Sequence, residues 1–313
     1  MSPTGLSRQL QLLPALLVAG SALADTEVTL DELLRGWGSD LTQAEVTVET
    51  LQPGLHVLRA AGGAVIASIG DDGVLLVDDQ YAQTVDDLQA AVRDLGGRDV
   101  DFVINTHAHF DHANGNPVLG AAGAHIVAHH NARAMLMRSS RLDYGDRYYV
   151  QPPSPSEGLP VVTFDEGIVL HVNGQTIDVA HFGPAHTDGD VIAHFREANV
   201  VHVGDLYVAP WPYIDAGNGG SLSGLIATCN AILDRIDDDT RVVSGHRPTT
   251  DRAGFETYTR RLEAVYARLA GHAAAGRSVE EMIAADPTAG LDDSGANPTL
   301  FLTLAYPTVV ADQ

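Results

Sequence analysis

The run Thr106-His107-Ala108-His109-Phe110-Asp111-His112 packs three imidazoles and a carboxylate into six consecutive positions. Chance yields roughly 0.004 such arrays in a chain of this composition, so coincidence explains it poorly. Its chemistry is metal binding. A short apolar run, Phe102 to Asn105, precedes it. Residues i and i+2 leaving a strand point to the same side, so His107 and His109 are expected to share one metal. The turn that follows would aim Asp111 and His112 at a neighbouring position. Two ligands leave a tetrahedral site incomplete, which predicts further donors at other strand ends. Three candidates fit: His186 in Gly183-Pro184-Ala185-His186-Thr187-Asp188-Gly189-Asp190, Asp205 in Val203-Gly204-Asp205, and His246 in Ser244-Gly245-His246-Arg247-Pro248. Imidazole and carboxylate without thiolate suit zinc, and iron or manganese also accept them.

These donors need a rigid frame. Apolar runs predict strands at 55–60, 64–69, 73–77 and 102–105, with a helix at 83–95 whose Val85, Leu88, Val92 and Leu95 share a face. A further helix is expected around 131–138. A second set of strands is expected at 168–172, 176–180, 191–195 and 200–203, then a helix from Ser221 to Ile236 and a strand at 241–244. Helices at 255–270 and 279–285 complete the list. Both halves read as strands, helix, strand, a pattern that suits two sheets face to face with helices outside. The Pro- and Ser-rich stretch Gln151 to Gly158 is expected to cross the surface between the halves.

With these residues in view, the sequence from about Leu55 to His246 resembles the metallo-β-lactamase superfamily, on the HxHxDH array and three later ligands in the right order. The resemblance implies an α/β fold, a four-layer αββα sandwich with the metal site at one edge of its sheets. It implies His107, His109 and His186 on a first metal, Asp111, His112 and His246 on a second, and Asp205 bridging both. Asp78 would support the ligand loop from behind. Two zinc ions and hydrolysis by a metal-bound hydroxide follow, with Asp111 also the catalytic residue that orients the nucleophile and passes a proton. The substrate would be a small ester, thioester, lactone or lactam. A β-lactamase of the type without a Cys ligand is one alternative; a diiron redox enzyme and a non-catalytic metal-binding module are others. Where lactamases commonly use Lys for a substrate carboxylate this chain has none, leaving Arg247 or Ser244 as substitutes. Trp211 and Tyr213, beyond Asp205, either wall the pocket or pack their loop on the body, with Tyr144, Tyr148 and Tyr149 as a further candidate wall. His125, His129, His130, His194 and His202 read as structural.

The whole chain sets the remaining limits. It has 313 residues and 18 basic against 41 acidic side chains, a net charge of −23, and no lysine. Such a chain repels nucleic acid. Residues 1–24 read as a signal peptide: Arg8, an apolar run from Leu10 to Gly20, and the A-x-A site Ala22-Leu23-Ala24. This predicts a periplasmic or secreted protein cleaved near Ala24. Residues 25–313 are expected to form a single domain with a C-terminal helical extension and no membrane span, acting on a small molecule. Oligomeric state is not legible. A lone Cys229 cannot form a disulfide within the chain and reads as a buried hydrophobe.

Overall fold

The computed structural model describes residues 26–313; the expected signal peptide lies outside the described residues. Apolar runs with both faces buried build the centre. In successive strands Val57, Ile66, Leu75 and Val77 face one way. Their neighbours Leu58, Val65, Val74 and Leu76 face the other. The first group meets Ile177, Val179, Ala193, Phe195, Val200 and Val243 of a second sheet. The second group meets Val85, Leu88 and Val92 of the helix Val85–Asp94. On the far side, Ile192, Val201 and Val242 pack against Leu225, Cys229 and Ile232 of the helix Leu222–Leu233 and Phe255 and Leu262 of Arg252–Ala274. Helix, sheet, sheet, helix is the four-layer order, and burial of apolar area on three planes holds it.

Among the described residues the first sheet has seven strands. In spatial order they are Val162–Phe164, His125–His129, Phe102–Ile104, Gly73–Val77, Val65–Gly70, Leu55–Arg59 and Thr47–Gln52. The second has six: Gly167–Val172, Gln175–Ala180, Ile192–Phe195, Val200–His202, Arg241–Val243 and Thr250–Asp251. A small third sheet of Glu27–Val28, Tyr148–Gln151 and Ser140–Asp143 was not expected. Its strands are two to four residues long, too short for alternation to register. The exposed stretch after Gln151 carries the chain from this small sheet to the edge of the first one.

Two segments outside the expected elements matter for the site. The helix Leu30–Gly36 is capped by Thr29 and Glu32 in a reciprocal pair of bonds. It buries Leu33 and Leu34 against Tyr81, Phe110 and Tyr149. At the other end the helix Thr299–Ala311 seats Phe301, Leu302, Ala305 and Val309 in the core behind the second sheet. Its Pro307 and β-branched residues hid it from propensity, but packing on several sides overrides propensity here. No helix among the described residues is long and apolar enough to cross a membrane.

Candidate metal centre

All the loops in question leave the sheets at one edge. Phe102–Ile104 runs parallel to both Gly73–Val77 and His125–His129, and its chain exits into Asn105, Thr106 and His107. In the second sheet Val200–His202 and Arg241–Val243 are parallel, so Asp205 and His246 emerge side by side. Gln175–Ala180 and Ile192–Phe195 are an antiparallel pair with Ala180 opposite Ile192, and the loop joining them carries His186. Backbone bonds tie the two edges together, from Val191 N to Thr106 O at 2.8 Å and from Ala64 N to Gly245 O at 2.6 Å. The strand pleat is not what aligns His107 with His109, contrary to the reading from spacing. The ladder ends at Ile104, and His109 already caps the short helix Phe110–Ala113. The two rings meet edge to face at 4.7 Å because the loop turns.

Each imidazole of the array holds one nitrogen on an anchor and presents the other inward. His107 Nδ1 lies 3.0 Å from Thr106 Oγ1, His109 Nε2 2.8 Å from Asp215 Oδ2, and His112 Nδ1 2.8 Å from Asp78 Oδ2. His186 Nδ1 donates to Tyr213 O at 2.7 Å. Asp78 also accepts from Thr106 N at 2.7 Å and Thr106 Oγ1 at 2.8 Å, which locks the loop beneath the array. Of the inward atoms, His109 Nδ1 and His186 Nε2 stand 2.9 Å apart, and His112 Nε2 and His246 Nε2 3.2 Å apart. Asp111 Oδ2 is 3.1 Å from His246 Nε2. Asp205 lies between the clusters, with Oδ1 3.3 Å from His112 Nε2 and Oδ2 3.4 Å from His246 Nε2 and 3.8 Å from His186 Nε2.

Three groups here have donor atoms all within 4.8 Å of one another: His107 with His109 and His186, His107 with His112 and Asp205, and Asp111 with His112 and His246. All seven sequence-predicted residues are therefore brought together. The buried atoms His107 Nε2 and Asp205 Oδ1 lack hydrogen-bond partners. Burying polar atoms without partners is costly, and cations at these two clusters would remove the cost. The arrangement fits divalent metal.

Electrostatics agree. Burial pulls the His107 pKa well below the imidazole range, with His112 and His109 adding to the effect, and burial takes His186 to about 4. Both are neutral lone-pair donors. Burial also opposes charge on His112 and His246, but the carboxylates of Asp205 and Asp111 win. His112 shifts well upward and His246 to about 10. Against the same burial penalty, these imidazoles hold Asp111 and Asp205 below the usual carboxylate range.

Close backbone approach fixes two positions as glycine. A Cβ on Gly63 would strike the His112 ring, and one on Gly245 would strike Asp205 Oδ1. Asp78 itself sits at φ +64, a conformation tolerated because three bonds to its carboxylate hold it there.

Outside the donors lies a cavity of about 500 Å³ whose walls include Trp37, Phe110, Tyr144, Tyr213, Arg247 and Leu300. Tyr213 stands 5.8 Å from the His109 ring and 5.9 Å from His186. Trp211, by contrast, stacks on Phe301 at 5.4 Å and packs its loop on the body. Tyr149 is buried against Phe110, and Tyr148 lies under Arg141. Ser244 is buried and holds the turn, donating to Tyr207 O and accepting from His246 N and Arg247 N. Among the structural histidines, His202 donates to Ala64 O and His130 pairs with Asp165. Sequence reasoning missed Asp215 as a ligand anchor, and missed Trp37 and Leu300 altogether, because nothing local marks them.

Comparison with known proteins adds three findings. The model of a family described as the metallo-beta-lactamase superfamily matches residues 64–246. A hydroxyacylglutathione hydrolase from Polaromonas sp. is 31% identical over 154 residues, which are 48% of this chain and 49% of that protein. The chain thus spans about half the length of that curated relative. Among solved structures, a metallo-beta-lactamase from Pontibacter korlensis superposes with a TM-score of 0.58 at 16% identity, covering 70% of this chain and 99% of its own. The DIM-1 metallo-beta-lactamase gives a TM-score of 0.56, also at 16% identity, covering 71% and 99%. At that identity the likeness concerns the fold.

Proposed function

The chain belongs to the metallo-beta-lactamase superfamily, and from that premise we propose that it is an exported two-zinc hydrolase of small acyl compounds, thioesters ahead of lactones, oxygen esters and lactams. One observation carries the reading: imidazole and carboxylate donors, without thiolate, gather around Asp205 in the wall of a cavity. Zinc suits that donor chemistry. The order of substrates rests on the relative's name, since a hydroxyacylglutathione is a thioester. Export and a periplasmic or secreted location rest on the leader-like residues 1–24 alone.

His107, His109 and His186 would hold one ion and Asp111, His112 and His246 the other, with Asp205 between them. Bound zinc supplies Lewis acidity, polarising an acyl oxygen and bringing the pKa of water from 15.7 to about 7. The protein's own residues do the rest. Anchors on Thr106, Asp215, Asp78 and the Tyr213 carbonyl fix the imidazoles before substrate arrives, so little reorganisation remains. The Asp111 carboxylate lines the cavity and would take a proton from attacking water and return it to the leaving atom. Tyr213 and Tyr144, with ring centroids 5.4 Å apart, keep one side of the cavity apolar.

The test is a hydrolysis panel with the zinc-loaded chain from Asp25: an acyl thioester, a lactone, a chromogenic cephalosporin and a phosphodiester. Thioester cleavage is expected to be fastest, to stop with a chelator and to return with zinc. Asp111→Asn should cost about 100-fold or more in kcat. An Asp111→Asn enzyme as fast as wild type on every cleaved substrate would remove the proton role.

A further inference from the structure

The outward face of the second sheet is covered unevenly. The helices Leu222–Leu233 and Arg252–Ala274 pack over Ile192, Val201 and Val242. Toward the edge strand the cover ends. Strand pairing sets Ala180 opposite both Gly167 and Ile192, and Asp178 opposite both Val169 and His194, so all six belong to this outward face. Along Gly167–Val172 the outward positions Gly167, Val169 and His171 are exposed. Gly167 and Ala180 bring almost no side chain to the strip, and a hollow results. It consists of two adjoining cavities of about 480 and 420 Å³ that share Asp178, Ala180, Arg196 and Arg235. Neither shares a residue with the metal cavity.

The charges in this hollow do not cancel. Arg196 grips Asp178 through Nε to Oδ2 and Nη2 to Oδ1, which occupies both carboxylate oxygens. Arg235, just past the helix Leu222–Leu233, lies with its guanidinium 4.5 Å from the centre of the Phe182 ring. Among the described residues no carboxylate comes within 4 Å of it, although Asp178 and Glu166 stand in the same walls. Glu166 does not line the 420 Å³ cavity, so there Arg235 is left uncompensated, in a chain of net charge −23. The ring occupies one face of the guanidinium and leaves its N–H edge free, a fork that fits a carboxylate. His194 lines the same cavity, and its Nε2 is buried without a hydrogen-bond partner. Burial holds this imidazole below its ordinary pKa, so the ring is neutral. Leaving its nitrogen bare is costly, and an oxyanion accepting its N–H would remove that cost.

We infer that this hollow is a second ligand site, remote from the metal centre, for a small organic monoanion whose carboxylate pairs with Arg235 and His194 and whose apolar body lies over Ala180 toward Val169. One uncompensated cation suits a single negative charge, and Glu166 at the far end disfavours a second. None of the seven metal donors lines the hollow, so what binds there is a ligand and not the substrate of the metal centre. The site stands whether or not that centre hydrolyses acyl compounds.

Carboxylates also meet zinc, so the test must report position as well as affinity. Benzoate, benzamide, acetate and inorganic phosphate are titrated into deuterated, ¹⁵N-labelled, zinc-loaded protein and followed by the amide and histidine-ring resonances. Benzoate should shift residues 167–169, 178–182 and 194–196 and the His194 ring, saturating with a dissociation constant of about 1 mM, with benzamide at least about tenfold weaker. Arg235→Met should weaken benzoate at those resonances about tenfold while zinc content, melting temperature and turnover stay as in wild type, and Arg235→Lys should recover part of the loss. Val169→Ser, at an exposed position, should weaken benzoate about threefold and leave acetate unchanged. Benzoate shifts confined to the surroundings of the metal donors, or shifts in the hollow that survive Arg235→Met, overturn the site. Phosphate binding in the hollow more tightly than benzoate, or a Val169→Ser protein that binds benzoate as wild type does, overturns the organic monoanion as its ligand.

Discussion

Asp215 illustrates how a ligand's far nitrogen is controlled. Its Oδ2 meets His109 Nε2 at 2.8 Å and Asn218 Nδ2 at 2.7 Å, and Asn218 Oδ1 in turn accepts from Arg138 at 2.8 Å. The chain of bonds fixes which nitrogen of His109 is free to donate. Replacing Asp215 with Ala should weaken zinc binding by about 10- to 100-fold, as removal of such partners generally does. Competition with a chromophoric chelator measures this, and an unchanged dissociation constant would mean that ring packing alone orients His109. That these seven donors come together was legible, since imidazoles and carboxylates in that order announce a site. Asp215 was not, because its partner is 106 positions away and only the fold reveals the pairing.

At the scale of elements, His129 joins a strand to a helix and brings a pH dependence with it. Its Nδ1 accepts from Asn131 N at 3.3 Å, capping the helix His130–Leu136, while Nε2 donates to Asp165 O at 2.8 Å. Both nitrogens are committed in the neutral form. Burial, helped by His181 stacked at 4.0 Å, lowers its pKa from 6.5 to about 4. The unfolded chain therefore takes up a proton that the folded one refuses. Stability from this group is complete above pH 6.5 and is lost as pH falls towards 4. Urea unfolding of chelator-treated protein should show that decline, and His129→Asn, which keeps a capping acceptor, should flatten it. An identical slope in the variant would refute the assignment. Strands buried on both faces, such as Gly73–Val77, were legible as continuous apolar runs. Thr47–Gln52 was not: it is an edge strand with four exposed positions, and no burial pattern marks it.

For the whole molecule, the notable fact is where the donors come from. His107, His109, Asp111 and His112 leave the first sheet; His186, Asp205 and His246 leave the second. Zinc at a hundred times its dissociation constant stabilises a native site by about 2.7 kcal/mol. Filling two sites should therefore raise the melting temperature by roughly 8 °C in a chain of this size. Scanning calorimetry before and after chelation checks it, with recovery on adding zinc back; equal melting temperatures would show that the sites do not bind in the folded state. The four layers could be inferred from the order of strands and helices. The rim could not, because Trp37 and Leu300 reach it only once the helices Leu30–Gly36 and Thr299–Ala311 pack onto the body.

The exposed proline-rich crossing that follows Gln151 falls between the donors of one sheet and those of the other. Severing it would give two fragments, neither of which contains a full set of the proposed ligands for either proposed ion. Zinc concentration would then set how often the fragments find each other, and the severed protein would behave as a metal-gated heterodimer.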